Sequence, residues 1–174
     1  MLHLIIGGAG SGKSTYAESL LFACPGPRVY IACMLPYGEE GGRRVARHRA
    51  ERAGKGFTTL ERYLDVGNAP LQAGCSALLE CLCNLVANEM FEKEGARERA
   101  ADAVVSGVLA LEARCRSLFV VTNDVGSGGN EPDADTLRYI ETLGAVNARL
   151  AARADRVTEL VAGIPIVLKG GGAP

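Results

Sequence analysis

Charge of one sign, long apolar runs, histidine and paired cysteine motifs are all scarce in this chain of 174 residues. The 19 Lys and Arg are balanced by 20 Asp and Glu, for a net charge of −1. That balance argues against a polyanionic partner such as nucleic acid. The first apolar run, Leu4 to Ile6, leads straight into glycines. It is too short for a signal peptide or a membrane span, so a cytoplasmic protein with no membrane span is expected. Six cysteines are scattered at positions 24, 33, 75, 81, 83 and 115. The one close pair, Cys81 and Cys83, is CxC rather than CxxC, and no second pair or nearby histidine completes a zinc set. Buried free thiols in a reducing compartment are the expectation. No repeat, linker or composition shift divides the chain, which predicts one domain over residues 1–174 with 170–174 as a disordered tail.

What is present alternates. Apolar runs are separated by longer stretches of helical period, the pattern of an α/β fold with a mainly parallel sheet. Strands are predicted at Leu2–Ile6, Arg28–Ala32, Ser76–Cys81 and Ser117–Thr122. A helix is predicted over Lys13–Cys24, ended by the PGP at 25–27. The charged, glycine-punctuated stretch that follows the second strand is expected to be helical from about Arg43 to Arg52, with mobile ends. A further helical stretch starts near Asn84, breaks around Gly95 and resumes toward Arg116. The turn-rich loop from Asn123 leads to Asp135, read as the N-cap of a helix reaching about Ala154. The C-terminal DRVTELVAGIPIVLKG reads as two strands joined at Gly163-Ile164-Pro165, a hairpin on the sheet edge.

The most specific short signal is GGAGSGKS at 7–14. Gly7 and Gly12-Lys13-Ser14 match the P-loop pattern GxxxxGK[ST], and the segment lies between a predicted strand and a predicted helix. Gly7, Gly8, Ala9, Gly10, Ser11 and Gly12 would turn backbone N–H groups toward a phosphate, aided by the helix dipole. Lys13 would reach the β- and γ-phosphates, and Ser14 would offer its hydroxyl to Mg²⁺. Such a site also needs a carboxylate at a neighbouring strand end, and Glu80 in ALLEC is the candidate.

His3 alternates with Leu2 and Leu4 in a strand and reads as structural. His48 is different, because Arg44, His48 and Arg52 are spaced i, i+4, i+8 on one helical face. Like charges at that spacing cost on the order of a few tenths of a kcal/mol per pair. A bound anion would offset that cost. Neighbouring cations also hold an imidazole neutral and nucleophilic near pH 7. Two readings stand at this point: a nucleophile that attacks bound nucleotide, or a solvated basic helix with an incidental histidine.

Taken together, GGAGSGKS, VYIAC at 29–33, the arginine-flanked His48, TTLE at 58–61, LLECLCNLVAN at 78–88, VVTNDVGSG at 120–128, LGAVNARLAARADRV at 143–157 and VAGIPIVLK at 161–169 cover nearly the whole chain. In these segments the chain resembles the bifunctional adenosylcobinamide kinase / adenosylcobinamide-phosphate guanylyltransferase family. The resemblance implies a RecA-like P-loop fold and two reactions that draw on ATP and GTP. The first is phosphorylation of the aminopropanol hydroxyl of adenosylcobinamide. The second is transfer of GMP from GTP through a guanylyl-histidine, with adenosylcobinamide phosphate as acceptor. It implies that His48 and Lys13 are catalytic. It also implies that Ala32, Cys33, Met34, Arg49, Ala50, Glu51, Arg52, Glu61 and Glu80 join the P-loop in contacting nucleotide, and that the chain forms a homotrimer.

The chain departs from the family pattern near these loops. Gly10 replaces an arginine, Cys33 a threonine and Phe57 a tryptophan, and NDV stands for NEV. The His48–Glu61 spacing is one residue longer. No NKxD motif is present, so guanine preference rests on the resemblance. Two other functions fit the P-loop: a simple small-metabolite kinase with no covalent histidine, and a regulatory nucleotide-binding module.

Overall fold

The computed structural model describes residues 1–52, 54–124 and 132–171, with the side chains of Arg44, His48, Glu51 and Arg52 outside the description. The last three residues of the expected tail and 125–131 of the loop after Asn123 lie outside it as well.

Seven strands form one sheet: β1 (Leu2–Gly7), β2 (Arg28–Ala32), β3 (Thr58–Glu61), β4 (Ser76–Glu80), β5 (Ser117–Asn123), β6 (Arg156–Val161) and β7 (Ile164–Lys169). Their order is β3-β2-β4-β5-β1-β6-β7. Every pairing is parallel except β6 with β7. The P-loop strand β1 and the carboxylate strand β4 are separated by β5, as in RecA-like domains.

Strand alternation sorts the core into two layers. Leu2, Leu4, Val29, Ile31, Ala77, Leu79, Leu118 and Val120 face the larger one. There they meet helices α3 (Leu82–Phe91), α4 (Ala100–Arg114) and α5 (Ala134–Arg153). Ile5, Tyr30, Ala32, Leu78, Phe119 and Val121 face the smaller one, which α1 (Lys13–Ala23) closes with Ala17 and Leu21. Helices on both faces explain why β1, β2, β4 and β5 read as apolar runs rather than as alternating strands.

Several boundaries differ from the sequence expectation. β3 was not expected as a strand, because TTLE is short and half polar. It forms by pairing parallel to β2 at the sheet edge. Helix α2 spans Gly38–Arg52 and so includes the glycines expected to be mobile. Glu39 and Glu40 sit in its first turn, where carboxylates favour the helix N-terminus, and the Gly41 N–H donates to Tyr37 O at 3.0 Å. The N-cap of α5 is Asp133, not Asp135, and its side chain accepts from the Thr136 N–H at 2.7 Å. α3 begins two residues before Asn84 and ends at Phe91. The hairpin turns at Ala162-Gly163, both at positive φ (50° and 82°), as a two-residue turn requires. Ile164 and Pro165 therefore belong to β7, an edge strand where proline is tolerated.

His3 is buried as a structural residue, its Nε2 2.8 Å from Thr158 Oγ1. Burial, and then the charge of Arg156, lowers its pKa to about 4. All six cysteines are free, but only Cys33, Cys75 and Cys83 are fully buried. Among the described residues no group of three or more His, Cys, Asp or Glu is placed to hold a metal, and no helix is long and apolar enough to cross a membrane.

Candidate active site

Five parallel strands end on residues that border one cleft or lie beside it: Gly7, Ala32, Glu61, Glu80 and Asn123. Ala32 stands in register with Glu61 on one side and Glu80 on the other, and Gly7 is in register with Asn123. This is the C-terminal edge of the sheet, where open α/β folds place their ligands.

From Gly7 the chain turns through Gly8–Ser11 into α1, whose N-cap is Gly12 at φ 87°. A side chain there would be strained, and no side chain caps the helix. The first N–H groups of α1 therefore face the loop, as anion binding requires. Gly7 has no room for a side chain either, since an added Cβ would lie 2.7 Å from Leu160 O. The loop is tied to the hairpin turn, where the Gly163 N–H donates to Ser11 O at 3.0 Å. Ser11 Oγ is buried without a hydrogen-bond partner within the protein.

Lys13 is buried beneath this loop and donates from Nζ to Gly8 O at 2.9 Å. Ser14 Oγ donates to Glu80 Oε1 at 2.5 Å, and the Tyr30 hydroxyl donates to Glu80 Oε2 at 2.9 Å. Both oxygens of Glu80 are thus oriented, one by the P-loop serine and the other by a tyrosine from β2. The Ser14 hydroxyl and the Glu80 carboxylate are hard oxygen donors and suit Mg²⁺.

On the other side of the cleft, Arg49 of α2 forms a bidentate pair with Glu61, Nε to Oε1 at 2.6 Å and Nη2 to Oε2 at 2.7 Å. The Tyr63 hydroxyl adds a bond to Glu61 Oε2 at 2.9 Å. That hydrogen bond and, more strongly, burial raise the Tyr63 pKa. Between the two carboxylates lies a cavity of about 50 Å³ lined by Tyr30, Ala32, Met34, Val45, Glu61, Glu80, Cys81 and Asn84.

Of the residues expected to contact nucleotide, Ala32, Met34, Glu61 and Glu80 line this cavity, Ser14 reaches it through Glu80, and Lys13 lies under the adjoining loop. Cys33 faces the other way: its side chain is fully buried in the larger core layer. Its N–H donates to Glu80 O at 3.0 Å, and its carbonyl accepts from Asn88 Nδ2 at 2.9 Å. Strand alternation separates it from Ala32 and Met34. Ala50 is exposed and does not line the cavity. His48 lies in α2 between Val45 and Arg49; its side chain and those of Glu51 and Arg52 are outside the described residues. Sequence reasoning did not single out Tyr30, Val45 or Tyr63, and it read Asn84 only as a helix start. The signal for Tyr30 was available, since a tyrosine inside a buried strand needs a partner for its hydroxyl.

A family model described as cobinamide kinase / cobinamide phosphate guanyltransferase matches residues 3–168. The bifunctional adenosylcobalamin biosynthesis protein CobU of Salmonella typhimurium is 35% identical over 183 residues, covering 97% of this chain and 100% of the relative. The corresponding protein of Pseudomonas aeruginosa, CobP, is 33% identical over 174 residues, covering 98% of each. A solved structure from Pyrococcus horikoshii OT3 shares the fold with a TM-score of 0.54 at 11% identity, covering 98% of this chain and 87% of that one.

Proposed function

With the chain belonging to the cobinamide kinase / cobinamide phosphate guanyltransferase family, we propose that one P-loop domain performs both reactions at the cleft between Glu80 and Glu61. ATP or GTP is the phosphoryl donor and GTP the guanylyl donor. In the first reaction the aminopropanol hydroxyl of adenosylcobinamide attacks the γ-phosphorus. The bond to the β-bridging oxygen breaks and a nucleoside diphosphate leaves. Lys13 releases the Gly8 carbonyl and neutralises charge on the β- and γ-phosphates, and the N–H groups of the loop through Ala9 and Gly10 hold the β-phosphate. Ser14 and Glu80 would hold Mg²⁺, which neutralises phosphate charge when bound.

In the second reaction a ring nitrogen of His48 attacks the α-phosphorus of GTP, and pyrophosphate leaves. An oxygen of adenosylcobinamide phosphate then attacks the phosphorus of the guanylyl-histidine, forming adenosylcobinamide-GDP and freeing the imidazole. The observation that carries this reading is the seating of α2. Val45 lines the Glu80 cavity and Arg49 clasps Glu61, so the segment holding His48 is anchored over the same cleft as the P-loop. The neighbouring residues Ala50, Glu51 and Arg52 are proposed to contact nucleotide with it. So is the backbone beside Cys33.

The proposed assembly is a homotrimer. It is supported by β7, which exposes Ile164 at 64% and Leu168 at 58%, together with Ile166 and Val167. The proposed location is the cytoplasm, where free thiols stay reduced.

Incubation with α-labelled GTP tests the covalent step. The expected product is an acid-labile, base-stable adduct of GMP mass. A His48→Ala variant should lose both the adduct and GTP–pyrophosphate exchange while still phosphorylating cobinamide. An adduct that persists in the variant would remove His48 from the mechanism and leave a P-loop kinase with another nucleophile.

A further inference from the structure

A second opening adjoins the Glu80 cavity and is not used by either reaction as described. It runs between the segment joining β2 to α2 and one face of α3, with a volume of about 520 Å³. Asn84, Ala87, Asn88 and Phe91 line it from α3 at spacings i, i+3, i+4 and i+7, a single helical face. Met34, Leu35, Tyr37, Glu40 and Gly41 form the facing wall. Met34 and Asn84 also line the Glu80 cavity, so the two spaces meet there.

The lining is unusual for a surface groove. Phe91 and Tyr37 are 42% and 61% exposed, yet their placement is organised. The Tyr37 hydroxyl donates to Glu92 Oε1. Asn88 is pinned by its amide to the carbonyls of Cys33 and Tyr63, at 2.9 and 3.0 Å. From Asn84 to Phe91 the helix rises roughly 10 Å. That is long for a hydroxylated small metabolite, and it matches one edge of a tetrapyrrole-sized ring.

Resting on the function proposed above, we infer that this groove seats the corrinoid acceptor. The macrocycle lies along α3 against Leu35, Tyr37 and Phe91. Its hydroxyl-bearing arm passes between Met34 and Asn84 toward Ser14 and Glu80. An apolar ring edged with amides fits a groove of aromatic and aliphatic side chains in which Asn84, Asn88 and Glu40 offer polar groups to the amide edge. The nucleotide phosphates need the P-loop end of the cleft and leave this groove open. The arrangement also orders the chemistry, because the acceptor oxygen enters from the Glu80 side, where the γ-phosphate ends.

The test uses two variants, Phe91→Ser, which removes the aromatic rim, and Ala87→Trp, which fills the groove. GTP–pyrophosphate exchange requires no corrinoid and reports whether the fold and nucleotide site are intact. Both variants should keep that exchange and the KM for GTP, while the KM for cobinamide rises about tenfold or more. Phe91→Tyr should restore it. An unchanged KM for cobinamide in active variants would overturn the groove and leave the two reactions standing. A raised KM for GTP alone would reassign the groove to the nucleotide base, and a change in oligomeric mass would reassign it to a second copy of the chain. Failure of the unaltered enzyme to transfer anything to cobinamide would overturn the function and the groove with it.

Discussion

Lys13 and Arg49 are both cations at the cleft, but Lys13 is 9% exposed while the Arg49 side chain is 56% exposed. The same contrast runs through the elements that carry them. α1 starts from a loop whose backbone is tied to β6–β7, and it buries Lys13, Ala17 and Leu21 against the sheet. α2 buries Val45 alone among its described residues, and Arg49 ties it to Glu61 through an exposed ion pair. Gly42 lies in its second turn with open space around it, and there it costs roughly 0.5–1 kcal/mol relative to alanine. The phosphate clamp is thus preorganised, whereas the histidine helix is held weakly. Under the proposed function, a site serving the γ-phosphate in one reaction and the α-phosphate in another benefits from one fixed and one adjustable wall.

Breaking the fixed wall has the largest expected effect. Lys13→Ala removes the cation from the phosphate clamp, and both cobinamide phosphorylation and GTP–pyrophosphate exchange should fall on the order of 100- to 1,000-fold. Loss of one activity alone would show that the two reactions do not share the clamp.

Hydrogen exchange measures the contrast directly. Amides of α2 should exchange on the order of 100-fold faster than those of β1 and α1, because local opening of α2 exposes little apolar surface. Gly42→Ala sharpens this, since an added Cβ at Gly42 meets nothing within 4 Å. A gain of roughly 0.5–1 kcal/mol in helix stability should slow α2 exchange about two- to fivefold. Gly144→Ala in α5 is also unobstructed and should leave α2 exchange unchanged. Equal protection of α1 and α2 would remove the contrast.

A last effect concerns the fixed wall far from the cleft. His3, with its pKa lowered from 6.5 to about 4, takes up a proton more readily in the unfolded chain. Its contribution to stability is complete above pH 6.5 and is lost as pH falls from there toward 4. His3→Gln keeps a polar partner for Thr158 but cannot titrate. Its thermal midpoint should therefore fall less than that of the unaltered protein between pH 7 and 4.5.

Much of the fixed wall was legible in the sequence. The P-loop is a contiguous pattern, and Glu80 stands out as a carboxylate closing an apolar run. Tyr30 was hidden because its partner is 50 positions away. β3 was hidden because four half-polar residues carry no periodic signal and become a strand only by pairing with β2. The shift of the α5 cap from Asp135 to Asp133 reflects two aspartates of equal intrinsic preference, of which only the earlier one reaches the Thr136 N–H.

By itself the sequence determined the phosphate loop, the apolar strands around it and the family, because these rest on neighbouring residues and local backbone chemistry. Only the tertiary structure decided that Ser14 meets Glu80 across 66 positions, and that Ala32 faces the cleft while Cys33 faces the core. Nor could the sequence show that one face of α3 opens into a groove beside Glu80. Those relations depend on strand order and on which faces pack together, and burial of the whole chain selects them.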